Sequence, residues 1–324
     1  MSMLRRSCLL NAVLLALPSL LVSPASLAAD SFPSKAIEVV VPWPPGGGSD
    51  SVGRAVAEAG RSQFSQPLLV INKPGASGTI GFSYVTAAPA DGHKAVLLTP
   101  EVILAPLMGI GRSSPGDFRV VARLTDDPLA ITVRADAPWN TIEEFLAYGK
   151  ANPEKLTIST AGNGTTHQVG AVALEQSTAI RFTTIPYQGS APAIMGVLNG
   201  EVMATTAAYA ELNQHVIAGK LKTLAVMADK RIAALPQVPT MKERGYNLSY
   251  STWRAIAVHK STPQSVIDQW SAASVEISKS PAFVETMKKL ALTPAYADGT
   301  AFNAELARQA QDYQRLLSSV KPKE

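Results

Sequence analysis

Past residue 30 the chain alternates short β-branched runs with stretches whose apolar residues recur every three or four positions. Ile37–Val41 (IEVVV) reads as a strand ended by Pro42. Ser49 or Asp50 then offers a helix N-cap. Val52, Ala55, Val56 and Ala59 follow at i, i+3, i+4 and i+7, one apolar helix face. Residues 68–71 (LLVI) predict a strand, 78–87 a helix and 95–98 (AVLL) a strand. This βα order predicts an α/β domain with a mostly parallel sheet.

The same logic repeats over 127–251. Strands are predicted at 129–133, 156–159, 182–185 and 221–226. Thr141 with Glu144 three residues on is a capping box. The loop 161–164 (AGNG) leads into a helix with Val169, Val172 and Ala173 on one face, and 186–189 (PYQG) turns into a helix through Leu198. Residues 255–258 are strand-like, and 264–290 and 299–318 are helical.

The start of the chain follows neither pattern. Arg5 and Arg6 precede a run, 9–21, that is apolar except at Asn11, Pro18 and Ser19, and the small residues 26–29 follow it. This is the layout of a signal peptide over 1–29, cleaved near Ala28 or Ala29, and it places the mature protein in the periplasm. The run is shorter than the roughly 20 apolar residues a membrane span needs. Cys8 is the single cysteine and precedes the run, so the mature chain holds no thiol, disulfide or cysteine-based metal site. Removing Arg5 and Arg6 leaves 27 basic against 25 acidic residues, a net +2. No basic run suits nucleic acid.

The candidate chemistry lies in four glycine-rich strand-to-helix turns: 45–50 (PGGGSD), 74–79 (PGASGT), 161–167 (AGNGTTH) and 187–190 (YQGS). Helix N-termini present unpaired amides and about half a positive charge, which suits an anion. Open α/β sheets place ligands at the carboxyl ends of their strands, where such turns lie. No turn matches a phosphate-binding P-loop or a dinucleotide fingerprint, and none contains Lys or Arg. A carboxylate met by amides, hydroxyls and water fits better. The histidines His93, His167, His215 and His259 form no paired metal motif, and no nucleophile elbow is present. Catalytic residues, metal and cofactor are therefore expected to be absent.

At these residues the chain resembles the Bug-type substrate-binding proteins of tripartite tricarboxylate transporters. The marks are 32–35 (FPSK), 40–50 (VVPWPPGGGSD) with Arg54, 72–81 (NKPGASGTIG), Asp91–Gly92, Asn152–Pro153, the loop ending in His167, 186–189 (PYQG) and 239–245 (PTMKERG). The resemblance implies an α/β, two-lobed type II periplasmic binding fold, each lobe a mainly parallel sheet flanked by helices. Its lobes would be 30–126 plus 252–324, and 127–251. It implies a small carboxylate ligand, a monomeric receptor and a separately encoded pair of membrane permease subunits. The expected site comprises Trp43, Gly47, Gly48, Ser49, Asp50, Ser77, Gly78, Thr79, Gly162, Asn163, Thr165, Thr166, His167, Tyr187, Gly189, Ala207 and Trp253. Members of this family usually carry acidic residues where Met203 and Ala207 stand here. That departure predicts an aromatic or aliphatic acid without a free amino group. The competing readings are a ligand sensor feeding a two-component system, and a small-molecule hydrolase or isomerase.

Overall fold

A computed structural model describes residues 32–318. The signal segment, Cys8, the cleavage position and residues 319–324 lie outside the described residues. In chain order the elements are β1 (Ile37–Val41), α1 (Gly48–Gly60), β2 (Leu68–Asn72), α2 (Thr79–Thr86), β3 (Lys94–Leu98), α3 (Glu101–Leu107) and β4 (Phe118–Arg134). There follow α4 (Ile142–Ala151), β5 (Thr157–Thr160), α5 (Thr166–Thr178), β6 (Thr183–Pro186), α6 (Ser190–Leu198), β7 (Ala204–Thr205), α7 (Tyr209–Ile217) and β8 (Leu221–Met227). The chain ends with β9 (Ser251–His259), α8 (Gln264–Lys279), α9 (Pro281–Lys289), β10 (Pro294–Asp298) and α10 (Gly299–Leu317).

The strands form one sheet in the order β2-β1-β3-β9-β4-β7-β5-β6, with β8 and β10 also paired to β4. Each flank is parallel: β2-β1-β3 at one end and β7-β5-β6 at the other. The middle is antiparallel, because β9 and β4 run against their neighbours. β1 is a buried run with helices on both faces, as expected of a central parallel strand: Ile37, Val39, Val40 and Val41 are all within the core. The predicted face of α1 is the buried one, with Val52, Ala55, Val56 and Ala59 packed under β1 and β2.

Three expected elements take a different form, and α3, β7, α7 and β10 stand where the sequence predicts none. β4 is a single 17-residue strand, pairing with β9 over 118–128 and with β8 over 129–134. Its polar residues, including Arg123, Asp126 and Asp127, mask the apolar signal before Leu129. The expected 264–290 helix is two helices: the Ser280 hydroxyl accepts the Phe283 amide at 3.2 Å, and Pro281 occupies the first position of α9. Proline suits a first helical position because it has no amide hydrogen to lose. α1 is capped at Gly47, so neither Ser49 nor Asp50 is the N-cap. The capping box at Thr141 and Glu144 forms as read.

α10 packs on β4, α5 and α3. Among the described residues no helix is long and apolar enough to cross a membrane.

Candidate functional site

The turns that follow β1, β5 and β6 lie at carboxyl ends of parallel strands, and each opens a helix. Gly47 and Gly48 start α1, Thr165 and Thr166 start α5, and Gly189 and Ser190 start α6. None of the three N-caps offers its side chain to the helix amides. The first amides of a helix have no partner inside it. Three positive helix ends therefore converge on one cavity of about 440 Å3.

Trp43, Pro44 and Pro45 give this cavity an apolar wall, while Glu101, Glu211, Thr252 and Arg254 give it a polar one. Arg254 is 1 % exposed. Its Nε donates to Ser49 Oγ at 3.0 Å, and its Nη1 donates to Asp127 Oδ2. Nη2 makes no hydrogen bond and stands 3.9 Å from Glu211 Oε1. A Cβ on Gly48 would come within 2.6 Å of Nη2, so glycine there lets the guanidinium reach the α1 terminus. Asp127 also accepts the Thr293 amide at 2.6 Å. Burial pushes its carboxyl up to about 6, against the pull of the Arg254 charge and that amide.

Glu211 accepts from His167 Nε2 at 2.9 Å and from Ser190 Oγ at 3.2 Å. Burial works to raise its carboxyl. The hydrogen bond and charge of His167, the charge of Arg254 and the Ser190 hydroxyl outweigh it and hold the group below its ordinary 4.5. Glu101 accepts the Thr166 amide at 3.2 Å, and burial holds its carboxyl above the usual range.

Of the expected site residues, Trp43, Gly47, Gly48, Ser49, Thr165, Thr166, His167 and Gly189 line this cavity. The others stand behind it or elsewhere. Asp50 is buried inside α1, where its carboxylate accepts from Gly46 N, Arg54 and Asn72 and braces the glycine turn. Ser77 donates to Asn163 O at 2.7 Å, so its hydroxyl ties the 74–79 turn to the 161–167 turn. Gly78 packs on Phe82 and Pro42, and Thr79 donates to Ala76 O. Thr165 spends its hydroxyl on Gly162 O at 2.7 Å. Tyr187 donates to Glu201 and lies against Gly196. Ala207 is fully buried in a core cluster with Ile194, Val197 and Tyr209.

Trp253 is fully buried, donates to Gln309 Oε1 and meets Phe302 edge-on at 4.9 Å. The reason is strand alternation. Thr252 and Arg254 face the cavity, so the residue between them faces away.

Arg254, Glu211, Glu101, Asp127 and Thr252 are not among the residues expected from the sequence, while Ser190 stands in the fourth glycine turn. A lone Arg inside the apolar strand 252–258 (TWRAIAV) was the available signal, since charges are rarely buried unless they are paired. The glycine turns hold no cation, yet β9 brings one to them. Met203 and Ala207 leave no acid in their places, but Glu211 reaches the cavity from α7, its oxygens accepting from His167 and Ser190.

A family model described as the tripartite tricarboxylate transporter family receptor matches residues 52–320. The chain is 42 % identical to a TctC solute-binding protein from Polaromonas of solved structure, covering 90 % of this chain and all of that one, with a TM-score of 0.75. It is 31 % identical to the periplasmic binding protein BugD over 89 % of this chain and 98 % of that one, with a TM-score of 0.81. Protein BugT of Bordetella pertussis (strain Tohama I) is 29 % identical over 84 % of this chain and 85 % of its own length.

Proposed function

This chain belongs to the tripartite tricarboxylate transporter receptor family, and from that premise we propose that it captures a small carboxylate in the cavity described above and delivers it to a tripartite importer. The family is one of periplasmic solute-binding receptors, and its members are not enzymes. The fold is that of its TctC and Bug relatives. The observation that carries the proposal is the convergence on one cavity of three helix N-termini, none capped by its own N-cap side chain. Each end contributes about half a positive charge. An acid group is the small-molecule feature such a site stabilises best. Trp43 and the two prolines suit an aliphatic or aromatic body.

The proposal includes export with cleavage near Ala28 or Ala29, a monomeric receptor, and lobes of 30–126 plus 252–324 and 127–251 that close on the ligand. β4 and β9 would be the crossing strands. Permease subunits would receive the closed form.

A thermal-shift screen of the purified mature protein against small carboxylic acids tests this reading. An acid held at 100 times its Kd adds about 2.7 kcal/mol of stability. At least one acid is expected to raise the melting temperature while its neutral amide does not. A library in which no acid does so would contradict the reading.

A further inference from the structure

We propose that Arg254 takes the ligand's acid group directly through Nη2, and that this contact sets the receptor's preference for ionised acids over neutral analogues. The inference rests on the carboxylate reading above and names the residue that enforces it.

The geometry is specific. Two of the three guanidinium nitrogens are committed: Nε to Ser49 Oγ and Nη1 to Asp127. These bonds fix the plane of the group and leave Nη2 as the free edge. Arg254 lines the cavity, and Nη2 borders the first residue of α1. Glu211 stands 3.9 Å from it, and both Glu211 oxygens already accept from His167 and Ser190. An oxygen lodged at the α1 terminus therefore meets backbone amides and a guanidinium hydrogen together. Charge-assisted bonds of this kind are roughly twice as strong as neutral ones.

The same arrangement explains what surrounds it. Asp127 neutralises Arg254 and holds it in place without occupying Nη2. Ser49 orients it from the α1 side, and Gly48 leaves it room. A lysine in its place carries the charge but has one nitrogen, which cannot serve Asp127, Ser49 and a ligand in the same planar array.

The test uses the mature protein with acetate, propionate, succinate, glutarate, adipate and benzoate, each beside its neutral amide. The acid with the largest thermal shift goes to titration calorimetry with wild type, Arg254→Lys and the double variant Arg254→Gln/Asp127→Asn. The double variant removes both members of the buried pair, so it does not leave Asp127 unpaired if the lysine protein folds poorly. Both variants are expected to bind the acid at least about tenfold more weakly, the scale of one hydrogen bond to a charged group. They are also expected to lose most of the acid-over-amide preference. A merely structural Arg254 would weaken acid and amide alike and leave the preference intact, which overturns the proposal. If an acid binds wild type and both variants equally, Arg254 is not the anchor although the carboxylate reading stands. If no acid binds wild type, both readings fail.

Discussion

Two buried pairs set the charge of the cavity wall: Arg254 with Asp127, and His167 with Glu211. Breaking a buried pair from one side leaves an uncompensated group, which costs more than the pair itself contributes. Glu211 has a definite sign in its pH dependence. Its folded carboxyl lies below the ordinary 4.5, so its pairing stabilises the fold above that value and is lost as pH falls through the lowered one. Glu211→Gln is expected to cost about 1–3 kcal/mol near pH 7. Melting curves should show the gap to wild type narrowing below pH 4.5. A gap that stays constant down to pH 3 would remove the ion pair from the account. Asp127 acts oppositely: its carboxyl is raised to about 6, so its ionised form opposes folding above pH 6 and that penalty fades as pH falls toward 3.8. Gly48→Ala tests the crowding at the α1 terminus. The new Cβ would meet Nη2 of a guanidinium already fixed by two partners. Alanine gains helix propensity of about 1 kcal/mol over glycine. Binding is thus expected to fall about tenfold or more, one charge-assisted bond, while the melting temperature changes little; calorimetry and thermal melting read the two effects separately.

At the scale of elements, the legible parts were those with a clear period. β1, α1, the capping box of α4 and the glycine turns were readable because sequence spacing maps directly onto one face or one cap. β4 is legible only in its second half, because its 118–128 part carries Arg123 and Asp127, which pair with partners distant in the chain, and Asp126, which pairs with Arg123. Ala207 enters the expected site because family members carry an acid there, and Trp253 enters it through the resemblance. Which face each takes depends on register, and register is a tertiary property. A lone Arg in the apolar strand 252–258 signals a buried, paired charge, but that it faces the cavity follows only from β9 lying beside β4 with Arg254 against α1. Capping makes a prediction that separates fold from function. Thr141→Ala removes the α4 cap far from the cavity and is expected to cost about 1 kcal/mol. Denaturant unfolding should register that loss while ligand affinity is unchanged.

For the whole molecule, side-chain bonds join the two proposed lobes at and beside the cavity as well as where α10 meets α5. Ser77 donates to Asn163 O, Glu101 accepts the Thr166 amide, and the Thr166 and Thr252 hydroxyls meet at 2.8 Å. If these bonds hold a closed form, Ser77→Ala weakens closure by about 1 kcal/mol. Small-angle scattering with and without a bound acid should show a ligand-dependent contraction that is smaller in the variant. An unchanged radius on binding would argue against lobe closure. The claim on which all of this depends is that the acid lodges where the three helix ends and Arg254 meet. A crystal structure of the mature protein with the acid selected by thermal shift measures it directly. The account predicts the acid group within hydrogen-bonding distance of the Gly48–Ser49 amides and Arg254 Nη2, and a ligand bound elsewhere, or bound here with its acid group turned away from α1, would contradict it.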